Sequence, residues 1–133
     1  MAVASRNIRI AQVIVVVNGV FNILVGGALL FAPRWFFDNI GNFPPFNRHY
    51  EGDLGAFVLA LGVGLLVASR DPRRHWLIIA ASALGGLLHV INHVYDSLIE
   101  QAPAVHYLQD VVPLFVFALS LGLALWLARP RPA

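Results

Sequence analysis

The chain has 133 residues, enough for one domain by length. Apolar residues make up 59% and charged residues 12%, against about 25% charged in an ordinary soluble domain, so lipid is the expected solvent for surface that so small a globule has no interior to hide. The pI near 9.7 comes from arginines at the ends of apolar runs, where membrane topology explains them and nucleic acid is excluded as a partner, while the absence of Cys excludes disulfides, thiolate metal sites and cysteine nucleophiles.

Four apolar stretches follow one another, and a helix needs roughly 20 apolar residues to cross a bilayer. The first runs from about Ile8 to Phe31 and predicts a helix over about 8–32, ended by Pro33. Its apolar run is too long for a cleavable signal, and no small-residue cleavage site follows a short core. Pro44 and Pro45 stiffen the long loop that follows, where Trp35, Phe36 and Phe37 read as an interfacial aromatic anchor. The second helix is expected over about 53–69, where it needs its polar first turn from Asp53 to reach full length. Asp71-Pro72 makes a tight turn into a third helix over about 74–96. Pro103 marks the next loop, and the fourth helix is expected over about 107–128, with Pro113 near its start as a possible kink and Pro130 as its stop. Strict apolar alternation is absent, so helices rather than barrel strands are expected to satisfy the backbone in lipid. The fold class is therefore all-α: an integral membrane, up-down four-helix bundle forming a single domain over residues 1–133.

Orientation follows from the arginines. Arg6, Arg9, Arg70, Arg73, Arg74, Arg129 and Arg131 fall on one side, and Arg34 and Arg48 on the other. The first group should be cytoplasmic, which places both termini inside the cell and the protein in the cell (inner) membrane. Small residues point to close helix packing: Gly26 and Gly27 in the first helix, Gly55, Ala60, Gly62 and Gly64 in the second, Ser82, Gly85 and Gly86 in the third.

The ionisable groups are distributed unevenly on this topology. Asp38, Glu51, Asp53, Asp96, Glu100 and Asp110 lie at the outer end, with Asp71 alone inside; His49, His89, His93 and His106 also lie in the outer half, and His75 at the inner edge. His89, Asn92, His93 and Asp96 follow i, i+3, i+4, i+7 spacing and share one helical face. His-x-x-x-His is a standard metal-ligand spacing, because it points two imidazoles at one place. His49, Glu51 and Asp53 crowd the start of the second helix, and His106 and Asp110 stand four apart at the start of the fourth. Polar groups at membrane depth are costly and tend to face the bundle interior. Imidazoles and carboxylates together suit Zn, Fe or Cu. The expected ligands are His89, His93, Asp53 and Asp110, with Asp96, His49, Glu51 and His106 as further ligands or supports. The competing structural reading makes these groups a metal-free hydrogen-bond network, with Asp53 and Asp110 as helix caps and the loop histidines solvated. Asn18 and Asn22, four apart in the first helix, read first as interhelical glue and second as pocket lining.

The stretch from Asn47 through Arg48, His49, Tyr50, Glu51, Gly52, Asp53, Leu54, Gly55 and Ala56 to Phe57, then Leu59-Ala60-Leu61-Gly62, together with His89-Val90-Ile91-Asn92-His93, resembles small bacterial four-helix membrane proteins of the DoxX-like and DUF4345-like type. There an Asp-x-Gly-Ala opens the second helix and a His-x-x-x-His segment ends the third. The resemblance implies the four-helix fold and the pairing of these two segments, and no activity.

Several functions are compatible with these residues. The first is a metal-binding membrane protein engaged in redox, hydrolytic or metal-handling chemistry. The second is a metal-free enzyme that moves protons on a lipophilic small molecule, as an isomerase, cyclase or epoxide-opening enzyme, with Asp53, Asp110 and His93 as catalytic groups. Haem held by His89 or His93 ranks lower, since a haem pocket rarely needs so many carboxylates. The last is an accessory subunit whose partner is another membrane protein or a second copy of the chain. A transporter or channel is disfavoured, because the inner half of the bundle carries no polar path.

Overall fold

The computed structural model describes residues 2–41 and 44–129, and side chains throughout these except at residues 2–4 and 106. Pro130 and Arg131, expected above to stop the last helix and to add to the inner positive charge, lie outside the described residues. In chain order the elements are α1 (Ala2–Phe31), α2 (Pro33–Asn39), α3 (Arg48–Arg70), α4 (Trp76–Ile99), α5 (Ala104–His106), a π-helical turn (Tyr107–Val111) and α6 (Val112–Ala128). Four segments are long and apolar enough to cross a bilayer: Ser5–Phe31, Arg48–Arg70, Trp76–Ile99 and Tyr107–Ala128. Their outward surfaces carry apolar side chains such as Val13, Leu24, Leu84 and Leu119.

The boundaries have local causes. α3 begins at Arg48, earlier than Asp53, because the Asn47 side chain accepts hydrogen bonds from the backbone N–H groups of His49 and Tyr50. That cap draws the polar run Arg48–Glu51 into the helix. α3 ends at Asp71, whose carboxylate accepts from the N–H groups of Arg73 and Arg74 and closes the turn. α4 ends with Gln101 in the left-handed region (φ 53°), and Ala102 N–H reaches back to the Ser97 carbonyl at 2.9 Å. This is a Schellman-type stop with glutamine where glycine is usual. Pro113 falls in the first turn of α6, where its missing N–H costs little. The wide π-helical turn before it gives room for the ring, which would otherwise press on the preceding turn.

The helices run antiparallel in sequence order. α1 packs mainly on α3 and secondarily on α6, α4 packs on α6, and α3 and α4 meet only slightly. The α1–α3 contact is backbone to backbone. Gly19 lies against the Gly62 carbonyl and Gly26 against the Gly55 carbonyl, and each glycine of α3 returns the contact. The two pairs stand seven residues apart on both helices, two turns of one face.

Most of the shared core sits toward the end that carries the α3–α4 turn. Ala11 and Val15 of α1, Leu65 and Ala68 of α3, Ile79 of α4, and Leu121, Ala124 and Ala128 of α6 form one buried cluster there. Two side chains staple the same end. Gln12 Nε2 donates to the Arg70 carbonyl (3.2 Å), and Arg73 Nε donates to the Ala128 carbonyl (2.9 Å), which caps α3 and α6. At mid-depth Asn18, 2% exposed, donates to Ser120 Oγ at 2.9 Å, and Phe21 stacks on Phe117 with centroids 4.1 Å apart. Asn18 is thus interhelical glue, whereas Asn22 turns back to the Asn18 carbonyl on its own helix. In the loop after α1, Phe37 is buried edge-on to Phe46 while Trp35 is exposed. The aromatic run therefore divides between packing and surface.

Candidate functional site

The end opposite the α3–α4 turn, here the loop end, holds the polar groups, and α4 supplies the closest pair. Ser82, Val90 and Ser97 mark the buried stripe of α4, and Gly86 lies against Ala118 of α6. His93 continues that stripe half-buried, while His89 is on its flank and exposed. One helical turn apart, the two imidazoles meet Nε2 to Nε2 at 2.9 Å, with ring centroids 4.7 Å apart. As a hydrogen bond this requires one ring to donate through Nε2–H and the other to accept. As a chelate, with metal–nitrogen bonds of about 2.05 Å, a 2.9 Å separation subtends about 90° at the metal, and opening it to about 3.3 Å gives a tetrahedral angle. Passing from the hydrogen bond to a chelate requires the shared Nε2 proton to leave and both Nε2 lone pairs to turn toward one ion.

The flanking groups on α4 are engaged with each other. Asn92 Nδ2 donates to Asp96 Oδ2 at 2.9 Å, and Ser97 Oγ donates to the His93 carbonyl at 2.6 Å. Asp96 is thus tied to Asn92 one turn below it.

The second pair lies at the start of α3. His49 Nε2 stands 3.5 Å from Asp53 Oδ2, and their side chains are 85% and 62% exposed. Asp53 therefore does not cap α3, a task that Asn47 performs. Its nearest ionic partner is His49 rather than a histidine of α4. Glu51 is half-buried on the same turn, and Asp110 is half-buried in the π-helical turn. The side chain of His106 lies outside the described residues. Asp38 is taken by Arg34 at 2.8 Å.

Among the described residues expected to form one metal site, His89 comes together with His93 and His49 with Asp53. Among the described residues no three His, Asp or Glu side chains are grouped to hold one ion. The small residues below His89 also divide. Ser82 and Gly86 pack inward, whereas a Cβ at Gly85 would meet nothing within 4 Å. Gly19, which pairs with Gly62, and Ser120, the partner of Asn18, emerge only in the structure. The seven-residue glycine spacing was a usable signal for the first; nothing local marked the second.

Comparison with known proteins returns no matching family, no matching curated protein and no matching solved structure.

Proposed function

We propose that the chain is a multi-pass protein of the cell (inner) membrane, with both termini in the cytoplasm, and that it binds a transition-metal ion, Zn, Fe or Cu, on His89 and His93 at its outward end. The observation that carries this reading is the 2.9 Å approach of the two Nε2 atoms, two imidazoles on one helical face within reach of a shared ion once both Nε2 are deprotonated. Two protein nitrogens leave coordination positions for water, a substrate or further side chains. Asp96 and Asp110, at the same end, supply negative charge for a divalent ion. Arginines at the opposite end support the orientation: Arg6, Arg9, Arg70, Arg73, Arg74 and Arg129 gather there, against Arg34 and Arg48 at the loop end. The likeness of Asp53-Leu54-Gly55-Ala56 and of His89–His93 to DoxX-like and DUF4345-like proteins supports the same fold and names no reaction.

Elemental analysis of the detergent-purified protein tests the reading. Metal near one ion per chain is expected, falling to background in a His89→Ala/His93→Ala double variant that still purifies as a folded helical protein. Metal near zero in the wild type, or a content the double variant leaves unchanged, sinks it. The His–His hydrogen bond would then serve as a proton relay, the metal-free reading.

A further inference from the structure

α3 and α4 are consecutive antiparallel helices joined by the short 71–75 turn, and near that turn they touch where Gly64 meets Ile78. This contact sets the register of the two facing walls. Asp53 stands 11 residues before Gly64 and His89 stands 11 residues after Ile78. Eleven residues make about three helical turns, or about 16 Å of rise, so both return to the facing side at one common level. His49 and His93, each 15 residues out from the same contact, share the next level. The two polar pairs of the loop end therefore lie on opposite walls of the α3–α4 gap.

The facing walls are already open on the way to these levels. Seven residues out from the contact, a Cβ at Gly85 would meet nothing within 4 Å, and Phe57, its counterpart on α3, is 74% exposed. At the turn end the core cluster joins α3 and α4 with α1 and α6, and the Gln12–Arg70 and Arg73–Ala128 bonds tie α3 to α1 and the 71–75 turn to α6. The two helices thus form a wedge pinned at the turn end.

Each pair has the span of a chelate. His49 Nε2 and Asp53 Oδ2, 3.5 Å apart, would subtend about 117° at an ion with bonds of about 2.05 Å, close to tetrahedral. We infer that the metal ion held by His89 and His93 takes its remaining protein ligands from His49 and Asp53, and that its binding draws α3 toward α4 and closes the wedge. This inference rests on the two-histidine site proposed above and adds to it a clamp between helices. Two imidazoles from one wall and an imidazole and a carboxylate from the other make a complete four-ligand set for zinc. The apex needs little change, since three turns of helix convert a small hinge motion into a large one at the mouth.

The absence of cysteine makes the test direct. Cysteines introduced by Leu54→Cys and Ile91→Cys, at exposed positions beside Asp53 and His89, would carry nitroxide labels. Pulsed electron–electron resonance on the full chain in nanodiscs then reads the mouth width with and without ZnSO4. The expected result is a shortening by several ångström on adding zinc, abolished by His49→Ala/Asp53→Asn, with zinc affinity in that variant lowered about tenfold or more. Zinc that binds through His89 and His93 with no change in distance, and equally well in the His49→Ala/Asp53→Asn variant, overturns the clamp and leaves the two-histidine site standing. Zinc that does not bind the wild type at all overturns both.

Discussion

Two adjacent glycines of α1 offer a test of the packing with its own control. An alanine Cβ at Gly26 would fall on the backbone of α3, against Leu59 N, at 2.8 Å from Leu59 Cα and at 2.9 Å from the Gly55 carbonyl oxygen. None of these atoms is the tip of a flexible side chain, so the helices must separate. Opening a close-packed contact by about 0.5–1 Å forfeits a quarter to a half of its dispersion energy, and overpacking of this kind costs about 1–3 kcal/mol. At Gly27 a Cβ would meet nothing within 4 Å, and alanine there contributes only its helix preference over glycine, up to about 1 kcal/mol in favour. Both substitutions sit in the same helix and share that preference, so their difference isolates the packing. Gly26→Ala should therefore be less stable than Gly27→Ala by about 1–3 kcal/mol, roughly fivefold or more in the unfolding constant. Equilibrium unfolding in mixed detergent and SDS micelles, followed by circular dichroism, measures both. Equal stability of the two variants would refute the glycine-to-glycine seam between α1 and α3.

Asn18→Leu and Ser120→Ala should each destabilise modestly, and a double-mutant cycle between them should give a coupling of about 0.6–1.7 kcal/mol, the range of interhelical hydrogen bonds in membranes; a coupling of zero would mean that their 2.9 Å contact contributes nothing. Gln101→Gly should stabilise the protein by up to about 1 kcal/mol, because the left-handed backbone at φ 53° favours glycine, whereas a lower melting temperature for this variant would show that the Gln101 side chain holds the loop.

How much of this was legible in the residues differs from element to element. The four long helices follow from apolar runs bounded by Pro33, Asp71-Pro72 and Pro103, because a bilayer leaves few other ways to satisfy the backbone. Their ends were less legible. Asn47 moves the start of α3 outward, and a cap is a matter of one side chain that an apolar window overlooks. The shared face of His89 and His93 was legible, since i, i+4 spacing alone brings two side chains together within a helix. The placement of Asp53 and Asp110 relative to that pair was not. It depends on the rotation of each helix, and helices that are apolar nearly all round carry little information about which side faces a neighbour. The wedge between α3 and α4 was hidden for a related reason. Gly85 and Gly86 are equal as letters, yet one meets Ala118 and the other open space. Only the register set by Gly64 and Ile78 distinguishes them.

The two-histidine metal site is most directly tested by pulsed electron paramagnetic resonance of the protein loaded with one equivalent of Cu(II). Echo modulation from the remote imidazole nitrogens counts the rings bound to copper. The account predicts at least two imidazoles on copper in the wild type and the loss of this bound species in the His89→Ala/His93→Ala variant. A wild-type spectrum without imidazole modulation, or one that persists unchanged in the double variant, would contradict it.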